Sequence, residues 1–257
     1  MQHVPAFTGC YHEPFVGGGA VFLALYESEG EARVREFGTS WAVLNDVNAE
    51  LMNAYSVVKN KTSELIRGLQ AIKHSKKEYY RIRDEEPDTS LARAIRFCYL
   101  NKTCFNGLWR VNGKGKFNVP IGSYVNPTIV EPDVMNTWRA ALKGVDLWSE
   151  DFMYRLAEVK KSDFVYADPP YLPRSESANF TSYTAGKFGE KDHERLAQSL
   201  TSVHKRGAKF LCSQGDSSTI RALYKEFTIV PVTVKHMIGA KASSRVGVRE
   251  LLIKNYD

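Results

Sequence analysis

Long apolar runs, paired cysteines and low-complexity tracts are all missing from this chain of 257 residues, and each absence closes off a class of function. No apolar stretch approaches the roughly 20 residues of a membrane span. Met1–Thr8 lacks the basic-then-apolar order of a signal peptide. The expectation is a cytoplasmic protein with no membrane partner. Cys10, Cys98, Cys104 and Cys212 are scattered, without the paired spacing of a zinc site or a disulfide frame. They read as reduced thiols, mostly buried. The six histidines form no ligand-like group, so no metal is expected, and His193 is assigned to a helix surface. Internal repeats are absent. Neither G-x-G-x-x-G nor G-K-[ST] occurs, which argues against dinucleotide and P-loop binding.

Acidic residues are absent from Thr89 to Val130. That window carries Arg93, Arg96, Lys102, Arg110, Lys114 and Lys116, as much net charge as the whole protein's +6. A second acid-free stretch holds Lys235, Lys241, Arg245 and Arg249. Clustered cations with interleaved aromatic and amide side chains favour a polyanion through counterion release, against the commoner fate of a solvated face.

What is present reads as an α/β protein. Cys10–Phe15 has the look of a short buried strand, followed by Gly17-Gly18-Gly19 and a helical run from Ala20 to Tyr26. Strand, glycine turn and helix form the opening of a Rossmann-like sheet. Phe22 and Tyr26 belong to core packing. Trp41–Leu44 is the second strand, with Asp46 at its end. Helical periodicity then runs from Val47 to about Leu100, broken at Pro87-Asp88. Leu108–Val111 and Lys116–Val119 flank Asn112-Gly113-Lys114-Gly115, a β-hairpin pattern with a basic tip. Further strands are expected at Val145–Trp148, Phe164–Ala167, Lys209–Ser213, Ile229–Met237 and Glu250–Tyr256, with helices over Lys191–Lys205 and Ile220–Phe227. The Ser/Asn-rich loop Ser175–Thr184 is long enough to be functional. The expected division is a catalytic domain over residues 1–50 and 138–257, with residues 51–137 inserted as a helical and β-hairpin target-recognition domain.

Asp168-Pro169-Pro170-Tyr171 closes the strand Phe164–Ala167. An exocyclic amine on a planar base is a poor nucleophile, because its lone pair is delocalised into the ring. A carboxylate and a proline carbonyl can accept both amine protons and free that lone pair. The prolines stiffen the turn, and Tyr171 can stack on the base. Taken alone, the same residues also suit a capped proline turn.

Together these segments resemble the Dam-type DNA adenine N6-methyltransferases. The resemblance rests on Glu13-Pro14-Phe15-Val16-Gly17-Gly18-Gly19, Asp46, Asn106-Gly107-Leu108-Trp109-Arg110-Val111-Asn112, Phe117-Asn118-Val119-Pro120, Asp168-Pro169-Pro170-Tyr171 and Asn179-Phe180-Thr181-Ser182-Tyr183, in family order. It implies S-adenosylmethionine as cofactor, without metal, held by Glu13, Pro14, Phe15, Gly17, Gly19, Asp46, Asp151, Phe152 and Asp168. Asp46 would bind the ribose, and Asp151-Phe152 would flank the cofactor adenine. Asp168, Pro169, Pro170 and Tyr171 would carry catalysis on an adenine flipped out of double-stranded DNA. Phe105, Asn106, Leu108, Arg110, Asn112, Lys114, Lys116 and Pro120 would contact DNA. Phe105 is the implied wedge, Arg110 the guanine reader, and Leu108 and Pro120 the thymine-methyl contacts. GATC is the implied target, read by a monomer on DNA. The implied setting is bacterial or phage-encoded DNA methylation, restriction-modification included.

Two departures accompany the resemblance. The family's Lys-Trp-Ala-Gly-Gly-Lys-like segment has no match in the twelve residues before Glu13, and Val111 stands where an aromatic is common. The first leaves open an inactive DNA-binding homologue. An RNA adenine methyltransferase on the same core is the other alternative.

Overall fold

The computed structural model describes residues 2–30, 32, 40–172, 188–234 and 248–257. Seven strands form one sheet. They are β1 (Tyr11–Glu13), β2 (Ala42–Asn45), β3 (Val145–Trp148), β4 (Phe164–Ala167), β5 (Lys209–Gly215), β6 (Thr228–Val234) and β7 (Val248–Lys254). Their spatial order is β3-β2-β1-β4-β5-β7-β6. The β1–β2, β1–β4, β2–β3 and β4–β5 pairs are parallel, whereas β7 runs antiparallel to both β5 and β6. The fold is thus a mixed α/β Rossmann-like sheet, as the strand–turn–helix opening predicted.

Side chains alternate across the sheet and feed two cores. Tyr11, Phe164 and Leu211 join the first core, with Phe22, Trp41 and Leu44. Val165, Phe210 and Cys212 face the second, with Phe152, Leu196 and Tyr224. Phe22 is fully buried and stacks on Trp41 at 5.3 Å between centroids, which confirms its packing role. Tyr26 is half-buried against the same core.

Helix α1 (Ala20–Leu25) leaves the glycine turn and continues as a wider turn over Tyr26–Gly30. Between β2 and β3 come α2 (Ala49–Asn60), α3 (Thr62–Gln70), α4 (Lys76–Asp84), α5 (Ser90–Thr103) and α6 (Pro132–Ala141). Their starts follow from the sequence. Asn48 accepts from the Glu50 and Leu51 amides, Ser75 from Glu78 and Thr89 from Ala92, and Pro132 opens α6. Met52, Leu65, Tyr79, Phe97 and Trp109 bury into the same core as Tyr11 and Trp41, so these helices continue the sheet's packing. Helices α7 (Phe152–Ala157), α8 (Glu190–Lys205) and α9 (Ser218–Leu223) cover the opposite face.

Several expectations need correction. The expected Leu108–Val119 hairpin forms but is shorter than its pattern: one antiparallel bridge joins Val111 and Phe117, with the Asn112 amide donating to the Lys116 carbonyl at 2.9 Å and the Asn118 amide to the Arg110 carbonyl at 3.1 Å. The Asn112 side chain captures the Lys114 and Lys116 amides at 2.9 and 3.1 Å, while Trp109 and Phe117 turn inward, so a regular ladder does not extend. Helix α9 stops at Leu223 rather than Phe227, because Phe227 packs edge-on against Phe210 at 5.0 Å. His193 lies fully buried on α8, not on its surface. It precedes Leu196 by three positions and Ala197 by four, which puts it on the helix's buried stripe. The loop expected at Ser175–Thr184, the Asn179–Tyr183 segment, and the cations Lys235, Lys241 and Arg245 lie outside the described residues. No described helix is long and apolar enough to cross a membrane.

Candidate active site

The strand order reverses between β1 and β4, where parallel sheets open a crevice beyond their carboxyl ends. Glu13 ends β1 there, and Asp168 follows β4. Asn45-Asp46 closes the neighbouring β2. The topology therefore gathers residues separated by more than 150 positions in sequence.

Glu13 is 2% exposed and accepts a 2.7 Å bond from the Tyr11 hydroxyl. Burial pushes its carboxyl up to about 8. The Asp168 charge adds to that rise, and the Tyr11 hydroxyl and Phe22 amide oppose it. The neutral form of Glu13 is thus favoured at neutral pH, so it does not add to the Glu250 charge near Asp168.

Asn45 staples three strand ends together. Its amide nitrogen donates to the carbonyls of Pro14 and Glu150, both at 3.0 Å, and its oxygen accepts from the Glu150 amide at 3.0 Å. The side chain is 1% exposed, so these bonds satisfy a polar group that burial would otherwise penalise. Phe15 leaves the turn to pack on Phe152 at 5.2 Å and edge-on to Phe188 at 5.7 Å.

The Gly17–Gly19 turn meets helices α2 and α6. Gly17 and Gly19 have φ of +47° and +64°. A Cβ on Gly19 would lie 2.6 Å from the Trp138 ring and 2.8 Å from the Tyr55 hydroxyl, so only glycine fits. Among the described residues nothing lies within 4 Å of the Cβ positions of Gly17 and Gly18, so those residues leave their outer side open. Asp46 fixes this open turn by accepting from the Gly17 amide at 3.2 Å and the Asn48 amide at 2.9 Å. Burial raises its pKa, with those two amides opposing the rise. A carboxylate offers about four acceptor sites, so Asp46 retains capacity for a ligand's hydroxyls. Val47 beside it is 61% exposed, an apolar surface at the same strand end.

Asp168 is exposed at the sheet's edge, Pro169 is buried and Pro170 exposed. Ser213 on β5 donates to Asp168 Oδ1. Protein around the carboxyl raises its pKa by desolvation, the Glu250 charge contributes in the same sense, and bonds from Ser213 and Tyr171 oppose it. The Tyr171 ring lies over Gly215, 3.6 Å from that residue's Cβ position. The corner is therefore open, acidic and backed by an aromatic face.

Asp151 caps α7 through the Met153 amide at 2.9 Å and pairs with Arg195 at 2.7 Å. Phe152 is 5% exposed beneath the Arg195 guanidinium. Two bonds thus already engage Asp151, and Phe152 spends most of its surface on the second core.

The expected DNA-contacting residues form a separate group after α5. Phe105 is 46% exposed, and its amide donates to the Pro120 carbonyl at 2.9 Å. Asn106 takes a left-handed φ of +53°. Asn101 holds the Gly107 carbonyl at 3.1 Å, and Leu108 is half-buried behind it. Arg110 donates through Nε to Asn118 Oδ1 at 2.8 Å, which orients its guanidinium. Lys114 stands exposed at the tip.

The acid-free window is less free of partners than its sequence suggests. Arg93 pairs with Glu50, Lys116 with Glu86, and Lys102 with Glu131 at 3.7 Å. Arg96 donates to the Ile82 and Arg83 carbonyls. Folding brings acids from outside the window onto it, so the local run of cations overstates the available positive charge. Among the described residues no group of three or more His, Cys, Asp or Glu is placed to hold a metal ion.

The family profile of D12 class N6 adenine-specific DNA methyltransferases matches residues 1–238. The chain belongs to that family. It is 38% identical to the type II methyltransferase M.MjaIII of Methanocaldococcus jannaschii, covering 96% of this chain and 88% of that protein. It is 36% identical to the type II methyltransferase M1.LlaDCHI of Lactococcus lactis subsp. cremoris, over 96% and 86%. Identity to the DNA adenine methylase of Escherichia coli K12 is 31%, over 98% and 87%. The enzyme class that the resemblance implied, an adenine-specific DNA methyltransferase, is thereby shown.

Sequence reasoning missed Asn45, Tyr55, Trp138, Arg195 and Ser213. Asn45 adjoins Asp46 and was within reach of notice. The others touch the site only through the tertiary fold.

Proposed function

We propose that this enzyme transfers a methyl group from S-adenosylmethionine to the exocyclic amine of an adenine flipped out of duplex DNA, within GATC. The single observation that carries the reading is the open Asp168 corner beside the open glycine turn, at the sheet's switch point. Residues 1–50 and 138–257 serve as the catalytic part in this reading, and residues 51–137 as the target-recognition part. The enzyme acts as a monomer in the cytoplasm.

The residues fit the cofactor. The uncovered side of Gly17 and Gly18 leaves room for its amino-acid portion, Asp46 has spare acceptors for ribose hydroxyls, and Val47 offers an apolar surface for an adenine ring. When bound, S-adenosylmethionine supplies an already activated methyl on a sulfonium. The protein's contribution is therefore alignment and electrostatics. Asp168 and the Pro169 carbonyl accept the amine protons and draw the nitrogen lone pair out of the ring. Tyr171 stacks on the base, which offsets part of the few kcal/mol that extrusion costs. Protonated Glu13 adds no further charge to that of Asp168 and the nearby Glu250.

Phe105, Asn106, Leu108, Arg110, Asn112, Lys114, Lys116 and Pro120 form the DNA-reading segment of this proposal. Arg110 is the sequence reader, since a guanidinium pairs bidentately with guanine in the major groove. Asn112 and Lys116 also shape the turn itself.

Tritiated S-adenosylmethionine with matched duplexes tests the reading. Label should enter a GATC duplex, and the DNA of expressing cells should change its sensitivity to methylation-dependent nucleases. Asp168→Ala should lower turnover roughly 10²–10³-fold, the scale of losing one preorganised polar contact. Turnover above about a third of wild type in that variant, or preferential labelling of structured RNA, would overturn it.

A further inference from the structure

We propose that Ser213 is a positioning residue that commits one oxygen of Asp168 and leaves the other for the target amine. The inference rests on Asp168 holding that amine, as proposed above. It adds the element that fixes how the carboxylate is turned.

The placement follows from strand register. Ala167 on β4 pairs with Cys212 on β5, so the next residues, Asp168 and Ser213, emerge side by side at the strand ends. Ser213 is 5% exposed, and its hydroxyl donates to Asp168 Oδ1. Residues two apart on a strand share a face. Ser213 and Gly215 therefore lie together under the corner, and a Cβ at Gly215 would lie 3.6 Å from the Tyr171 ring.

A hydroxyl has one proton to give and two lone pairs to receive. Ser213 gives its proton to Asp168, and the phenols of Tyr166 and Tyr171 approach the same hydroxyl. One small side chain thus connects the carboxylate that binds the amine with the ring that stacks on the base. Without this bond the Asp168 carboxyl could rotate about its terminal torsion, which has a broad, soft potential. A rotating carboxyl accepts an amine proton in fewer productive orientations. The charge-assisted bond from Ser213, like the bond from Tyr171, favours ionised Asp168 against desolvation and the Glu250 charge; Glu13 and Tyr166 are the other titratable groups that face it.

Ser213→Ala and Ser213→Thr in the full chain test the assignment, with two readouts. In steady-state methylation, Ser213→Ala should lower kcat roughly ten- to hundredfold, the scale of losing a hydrogen bond to a charged group. KM for S-adenosylmethionine should stay within about twofold, and Ser213→Thr, which keeps the hydroxyl, should recover at least part of the loss. In 13C NMR of aspartate-labelled enzyme, the Asp168 carboxyl should titrate at higher pH in Ser213→Ala than in wild type. This second readout needs no turnover. An unchanged Asp168 midpoint, or a kcat within twofold of wild type, overturns the assignment of Ser213. If Asp168→Ala is active while Ser213→Ala still shifts the Asp168 midpoint, the adenine-amine role of Asp168 falls, and the Ser213 bond is structural.

Discussion

The Tyr55 hydroxyl donates to the Gly17 carbonyl across 2.9 Å, tying helix α2 to the glycine turn between β1 and α1. Tyr55 is 8% exposed, and its ring packs against Trp138 at 5.4 Å. Helix α2 thus braces the proposed cofactor turn directly. Removing the hydroxyl alone should loosen the turn without opening the core. For Tyr55→Phe we expect S-adenosylmethionine to bind about three- to tenfold more weakly, the scale of one neutral hydrogen bond. At saturating cofactor, kcat should remain within about twofold of wild type. Isothermal titration calorimetry provides the check, and an unchanged Kd would mean that Asp46 alone holds the turn.

Arg110 and Asn118 provide a second test. A reader of guanine must present its guanidinium in a fixed plane, and the 2.8 Å bond to Asn118 Oδ1 restrains it before DNA arrives. Arg110→Ala should lose about 1–3 kcal/mol of preference for the cognate site over a single-base variant. Asn118→Ala should move in the same direction by less. Lys114→Ala at the exposed tip should instead weaken all duplexes alike and flatten the salt dependence. Competition binding at two salt concentrations separates these outcomes. Equal loss on cognate and random duplexes for Arg110→Ala would make it a phosphate contact.

His193 sets the acid side of the stability profile. Its ring is fully buried edge-on to Phe188 at 4.8 Å, and among the described residues neither nitrogen has a well-formed hydrogen bond. Burial lowers its pKa from 6.5 to about 4, against the weaker opposing effects of Asp192 and the Pro170 carbonyl. The unfolded chain therefore binds a proton that the folded chain refuses. The sign follows from that difference. Stability is retained above about 6.5 and lost as pH falls towards 4. His193→Phe removes this source of acid lability. The stability of wild type relative to the variant should drop by up to about 3 kcal/mol between roughly pH 7.5 and 4. Urea melts at both pH values measure it, and a pH-independent difference would place a bonded or hydrated imidazole there.

Much of the fold could be read from residue patterns. Buried runs such as Phe164–Ala167 and Phe210–Cys212 read as strands because both faces of a parallel sheet are covered. Helix starts could be read from Ser75, Thr89 and Pro132. Asp168 and Asp46 could be placed because each follows a strand. A surface position for His193 overlooks its spacing to Leu196 and Ala197, which already puts it on the apolar stripe. The pairing of Arg93, Lys102 and Lys116 could not be read, since Glu50, Glu131 and Glu86 reach them only through tertiary packing. Ser213 was hidden for a similar reason. Its neighbour is set by the register between β4 and β5, which the residues of neither strand announce. The turn after Arg110 was half legible. Its glycines and Asn112 announced a reversal, but not that Asn112 would absorb the amides a ladder needs.

Strand β7 slots between β5 and β6 although it is made after both. During synthesis those two older strands wait with unpaired backbone edges until residue 248 and its successors emerge. A ribosome that stalls before that point would release a polypeptide with two sticky borders, ready to capture one another's amides. Stop codons placed before residue 248 should therefore yield insoluble product, while point changes on the outer surface of the same strand pass unnoticed.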